Sequence, residues 1–238
     1  MRKTTACAVG IASALTGLAV GYPILAREKC LNWGATAAEV LRVMPGDDLR
    51  AAPDTISTRA VTVAASPEQI WPWLVQMGPG RGGAYTYDWI ENLLGLDMHS
   101  ADAILPQFQN LAADDVLPMG KSGPRMRVAI LEPERALVLA SEDGAWVWAF
   151  GLYPTAGGAR LISRNRISLP SASLPTRLLY MLIMEPGSLL MERKMLLGIA
   201  ERAARTSLDP HPAMVTKDPD EQSESQYSTA ADGRTLDV

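Results

Sequence analysis

Between Arg125 and Leu169 the apolar residues recur at every second position in four short segments, and this restricts the chain to an antiparallel meander. Met126, Val128 and Ile130 alternate with Arg125, Arg127 and Ala129, as on a strand with one buried face. Leu137 to Ala140 is a second strand, reached through Glu132-Pro133-Glu134. Ala145 to Tyr153 is a third: Trp146, Trp148, Phe150 and Leu152 share one face, and the small residues Val147, Ala149 and Gly151 share the other. Gly157-Gly158 turns the chain into a fourth, Arg160 to Leu169.

Such a sheet needs a cover, and the flanking segments supply helices. A first strand is expected at Ser57 to Ala64. The helix after it has clear start signals: Ser66 to cap, Pro67 at the first helical position and Gln69 to complete a capping box. Ile70, Trp73, Leu74 and Met77 lie on one face of it, and Pro72 should keep it short or bent. A glycine-rich turn, Gly78 to Gly83, leads to a second short helix, Tyr87 to Leu94. At the other end of the body, Thr176 to Glu185 and Ser188 to Arg205 are helical, with a break expected at Pro186-Gly187. Met195, Leu196, Ile199, Ala200 and Ala203 form an apolar stripe on the last segment. The expected class is α+β, a helix-grip: an antiparallel sheet, with two short helices after its first strand, wrapped around a long C-terminal helix. The folded domain then covers residues 57–206. Residues 30–56, with a short helix at Ala35 to Val43 and a turn at Pro45-Gly46, read as a connector.

Composition bounds the partners. The chain of 238 residues carries a net charge of −4, but its last 32 residues alone carry −5, which leaves the rest at +1. A body so near neutrality has no basic footprint for nucleic acid. Residues 207–238, rich in Pro, Ser, Asp and Glu, read as a disordered acidic tail. Cys7 and Cys30 are the only cysteines, and His99 and His211 the only histidines, so neither a disulfide framework nor a metal site is expected. No cofactor is expected either.

The N-terminal end is apolar. Thr4 to Ala26 runs for 23 residues without a charge, after Arg2-Lys3 and before Arg27-Glu28-Lys29. About 20 residues cross a bilayer core, so a single-pass anchor over residues 1–29 is expected. A cleaved signal ending near Ala19-Val20-Gly21 is the alternative. Arg27, Lys29 and Arg42 after the segment outnumber the two basic residues before it, which favours a cytoplasmic domain.

Particular motifs carry a family resemblance. Trp33-Gly34-Ala35-Thr36, Pro45-Gly46-Asp47-Asp48, the run from Trp71 to Gly78, the run from Gly82 to Asn92, and Met191 to Leu196 resemble the SRPBCC superfamily. It includes the START lipid-binding domains, the birch-pollen allergen group and polyketide cyclase-like proteins. Within it the chain looks like a membrane-associated actinobacterial-type subgroup, over Trp33 to Arg205. The resemblance implies a helix-grip domain enclosing a pocket. It implies no particular activity, because the superfamily contains carriers, sensors and enzymes.

Candidate site residues follow from pocket chemistry, in which apolar walls carry a few placed polar groups. Trp73, Tyr85 and Tyr87 near the first helix and turn, Trp146 and Trp148 on one strand face, and Met191 on the last helix are the apolar and aromatic candidates. Arg81, Asp88, Glu91 and Arg164 are the polar ones. Arg164 must be paired if it points inward and is solvated if it points outward. Met181, Met184 and Met195 accompany Met191, and Leu178 to Met184 is apolar all round, suited to cover a pocket or touch a membrane surface. Gly78 to Gly83 matches G-x-G-x-x-G but follows a helix, so a nucleotide reading fails. Gly120-Lys121-Ser122 lacks the preceding glycine of a P-loop, where Asp115 stands. The expected function is membrane-tethered binding or transfer of a hydrophobic small molecule such as a lipid, isoprenoid or polyketide. Alternatives are a cyclase- or dehydratase-like enzyme drawing on His99, Tyr87 and Asp88, and an interaction module without a ligand.

Overall fold

Six strands pair antiparallel in the spatial order β1-β6-β5-β4-β3-β2. They are β1 (Thr55–Val63), β2 (Val116–Pro118), β3 (Arg125–Glu132), β4 (Ala136–Ser141), β5 (Trp146–Thr155) and β6 (Gly158–Ile167). They belong to a computed structural model that describes residues 21–93, 95–120 and 123–208. β3 to β6 form the expected meander, and β1 takes the far edge beside β6. The short β2, which pairs with β3, falls in a stretch that the sequence reading left irregular. β3 and β4 slip between Val128 and Ile130, a bulge that increases local twist.

The helices come in the helix-grip order. α1 (Arg27–Leu31) and α2 (Ala37–Leu41) precede the sheet, α3 (Pro67–Val75) and α4 (Asp88–Leu93) follow β1, and α5 (Leu174–Leu179) and α6 (Glu185–Leu208) close the described chain. The capping box forms: the Ser66 backbone N–H donates to Gln69 Oε1 at 2.9 Å. With Pro72 inside it, α3 stops after nine residues.

α6 packs against α3 and β1. Its predicted stripe is the buried one, with Met195, Leu196, Ile199 and Ala203 all sealed in the main core. Phe150 and Leu152 of β5 join the same core, as do Val128 and Leu139. Each such side chain contributes about 1.5–3 kcal/mol by leaving water.

Two expectations change. Pro186-Gly187 does not break the helix. α5 instead runs through a π-helical turn, Tyr180–Met184, directly into α6. Pro186 then lies in the first turn of α6, where its missing N–H is tolerated, and the irregular turn precedes it. Residues 30–56 are more than a connector: Met44 packs with Ala60, Val138, Val147, Ala149 and Ile162 on the sheet face away from α6. Gly34 and Gly46 permit this, since both have positive φ (73° and 87°), and a Cβ on Gly46 would come within 2.6 Å of Val138. Finally, most of the predicted anchor, Thr4 to Ala26, and the acidic tail beyond residue 208 lie outside the described residues. Among the described residues, no helix is long and apolar enough to cross a membrane.

Candidate functional site

Odd-numbered residues of β6 and even-numbered residues of β5 point to the α6 side of the sheet, and there the packing leaves a cavity of about 500 Å³. Trp146, Trp148 and Leu139 form its sheet wall; Met191 and Met195 of α6 face them, with Met184 of the π turn beside them. Met77, Met98 and Leu117 complete a largely apolar lining. Methionines suit such a wall, because the flexible thioether conforms to differently shaped occupants.

The two tryptophans stack, with ring centroids 5.5 Å apart. Each indole N–H is spoken for: Trp146 donates to Asn165 Oδ1 at 2.8 Å and Trp148 to Ser163 Oγ at 2.9 Å. Behind them lies a buried polar network. Glu192 of α6 accepts from Arg59 of β1, from Ser163 Oγ and from both approaches of Asn165 Nδ2 at 3.2 Å. Arg59 also donates to Cys30 O at 3.2 Å and to Ser188 Oγ at 3.0 Å. Burial pushes the Glu192 carboxyl up, against the pull of Arg59, Ser163 and Asn165. Glu192, Asn165 and Ser188 reach the cavity surface, so its wall includes a wired polar patch.

A second carboxyl lines the cavity from α4. Glu91 is only 6 % exposed, and its Oε2 and the hydroxyl of Thr86, another wall residue, are both sealed from water. Burial raises the Glu91 pKa, with Asp88 adding to the rise and the nearby Thr86 hydroxyl opposing it. Among the described residues the wall contains no Lys or Arg.

Of the ten residues singled out from the sequence, Glu91, Trp146, Trp148 and Met191 line the cavity. The other six hold the surrounding structure. Trp73 is buried edge-on against Tyr85, with ring centroids 5.9 Å apart. The Tyr85 hydroxyl donates to Trp73 O at 3.0 Å, and the Arg202 guanidinium lies over its ring. Arg81 ties loops together through Val75 O and Phe108 O, at 2.9 and 3.1 Å. The Tyr87 carbonyl accepts the N–H groups of Ile90 and Glu91, opening α4. Asp88 accepts from the backbone N–H and hydroxyl of Ser100, at 2.8 and 2.6 Å. Arg164 is neither in the pocket nor solvated. It projects from the opposite face of the sheet and is sealed by the 30–56 segment, donating to Thr58, Asp47 and three backbone carbonyls of residues 39–42. His99, the candidate for acid–base chemistry, is 78 % exposed and pairs with Asp97 at 3.3 Å.

Sequence reasoning passed over Arg59 and Glu192. Both sit where an apolar residue is expected, one on an inward strand position and one on the inner side of a helix, and a charge at such a position was the available signal.

No protein-family model matches the chain, and no curated protein matches it significantly. Solved structures do show similarity. A polyketide cyclase-like protein from Corynebacterium glutamicum is 15% identical with a TM-score of 0.41, over 66% of this chain and 96% of that one. An AHSA1-like protein from Aeromonas hydrophila is 12% identical with a TM-score of 0.38, over 66% and 98%. A Mesorhizobium loti protein is 17% identical with a TM-score of 0.38, over 64% and 98%. At such identities and scores, these likenesses carry no information about ligand or reaction.

Proposed function

We propose that the chain binds a hydrophobic small molecule in this cavity while its N-terminal run holds the domain at a membrane. The cavity itself carries the reading: its volume falls in the range of small-molecule sites, about 300–1,000 Å³, and its lining is mostly apolar with a few fixed polar groups. The acid–base set that a cyclase-like enzyme would draw on gives no competing support, since His99, Tyr87 and Asp88 are not part of the wall.

The membrane half of the reading rests on a surface. Leu174, Leu179, Ile183 and Met184 are 55–71 % exposed along α5 and the π turn, and Met184 and Tyr180 of that same turn line the cavity. Exposed apolar patches of this kind suit a membrane or partner contact. The uncharged N-terminal run ends beside them: Tyr22 donates to Glu185 Oε2 at 3.2 Å and Arg27 is paired with Glu185 at 2.7 Å, at the start of α6. Ile24 and Leu25 are also exposed there. A ligand dissolved in the bilayer then has an apolar route past the π turn into the cavity.

The test is to reconstitute the full chain in vesicles containing a neutral apolar fluorophore and to follow energy transfer from tryptophan. Leu179→Asp with Ile183→Asp should slow uptake severalfold at unchanged final occupancy. Equal uptake rates would remove the π turn as the entrance, and absence of transfer in the wild type would remove the cavity as a binding site.

A further inference from the structure

Where β1 and the π turn border the cavity, three hydroxyls have nothing to bind. Thr58 of β1 accepts from Arg164 on the outer face of the sheet, so its neighbour Ser57 turns inward, level with Asn165 of β6. Thr55 turns inward two positions earlier, level with Ile167. Both line the cavity, as does Tyr180 of the π turn. Burial lifts the Tyr180 pKa to about 12, with Glu185 adding to the rise while Arg59 and Arg27 oppose it. Its hydroxyl therefore lies within the field of Arg59, which follows Ser57 on the same face of β1. Among the described residues none of the three hydroxyls has a hydrogen-bond partner, and none is sealed as the Thr86 hydroxyl is. Ser163 and Ser188, by contrast, are engaged by the Arg59–Glu192 network. Hydroxyls left open in a largely apolar wall gain by meeting a partner of their own kind.

Resting on the cavity reading above, we infer that Thr55, Ser57 and Tyr180 form a head-group site for a neutral polyol, such as a glycerol or sugar head, on a ligand whose apolar tail lies along Trp146, Trp148 and Met191. Each hydroxyl both donates and accepts, and a head made of alcohol oxygens does the same, so the two sets can saturate each other. Charge is already balanced at this corner. Arg59 is paired with Glu192 and Arg27 with Glu185, and both glutamates also line the cavity. An ionised head placed there would compete with one member of an existing buried pair and repel or strand the other. The tail side is the stacked tryptophan wall and the methionines opposite it.

The test uses native mass spectrometry of the full chain, equilibrated in mild detergent with equal amounts of monotetradecanoylglycerol, tetradecane, tetradecylamine and tetradecanoate. The wild type should retain the glycerol ester over the alkane by at least about fivefold, and over both ionised probes. Ser57→Ala and Tyr180→Phe each remove one hydroxyl and spare the rest of the side chain. Each should cut the preference over tetradecane by about two- to fivefold, and the double variant should bring it close to parity. Retention of tetradecane should be unchanged throughout, which shows that the variants are folded and the cavity intact. A preference that survives in the double variant would overturn the inference. So would a wild type that retains either ionised probe above the glycerol ester, or the ester no better than the alkane. Loss of tetradecane together with the ester in both single variants would assign the hydroxyls to the fold and overturn it as well. Uptake of none of the four probes by the wild type would sink the cavity reading itself, and this inference with it.

Discussion

Arg59 of β1 and Glu192 of α6 form a buried ion pair 133 residues apart in the chain, joining the edge strand to the long helix behind the cavity wall. Removing one member of such a pair strands the other in a poorly solvating interior, at a cost of about 3–5 kcal/mol. Arg59→Met should lose that much unfolding free energy in urea titration. Arg59→Met combined with Glu192→Leu should recover most of it, because neither charge is left behind. A double variant as unstable as the single one would contradict the pairing.

Trp146 and Tyr85 should separate binding from stability. Trp146 faces the cavity and is tied to Asn165, so Trp146→Phe should reduce retention of an apolar ligand severalfold with little change in melting temperature. The buried Tyr85 hydroxyl donates to Trp73 O, and Tyr85→Phe should lose about 1–2 kcal/mol with retention unchanged. Parallel effects of the two variants on both readouts would reject the division between wall and support.

Arg164 fastens residues 39–47 to the sheet through four hydrogen bonds. Arg164→Met should therefore release that segment before the rest. Hydrogen exchange should accelerate over residues 35–50 by at least about tenfold while the β5–β6 amides stay protected. Uniform acceleration across the sheet would show instead that this face is one cooperative unit with the core.

These residues also mark how much could be read in advance. The meander, the capping box of α3 and the buried stripe of α6 were legible, because period-two and period-3.6 patterns report directly which face is covered. The aromatic face of β5 was assigned to the correct side for the same reason. Tyr85, Arg81 and Arg164 were not, since periodicity tells which face a side chain takes but not what lies against that face. Arg164 looked like a choice between pocket and solvent until Met44 and its neighbours were found covering the outer face. The π turn at Tyr180–Met184 left no periodic trace, being a single turn between two regular helices.

Glu39 should govern part of the acid response. Its hydrogen bonds with Arg160, at 2.7 and 3.1 Å, hold its carboxyl down at about 2 from an ordinary value of 4.5. A depressed pKa means stability that is complete above the ordinary value and drains as pH falls towards 2. Glu39→Gln should cost about 2–3 kcal/mol at pH 7 and almost nothing near pH 2. The same deficit at both pH values would assign the effect to packing.

Glu91 should act with the opposite sign. Burial raises its pKa, so its contribution is intact at low pH and is lost as pH rises through the folded value. Glu91→Gln should match the wild type at pH 4 and exceed it in thermal stability at pH 8. Greater stability of the wild type at pH 8 would mean that the ionised carboxyl is stabilised after all.

The most direct measurement is to isolate the full chain from the membranes of its natural host and weigh it intact by native mass spectrometry, with organic extraction of whatever is bound. The cavity account predicts one apolar molecule per chain, lost in a Met191→Trp variant that fills the space beside Trp146 and Trp148. A wild-type chain that carries no more apolar material than that variant would contradict it.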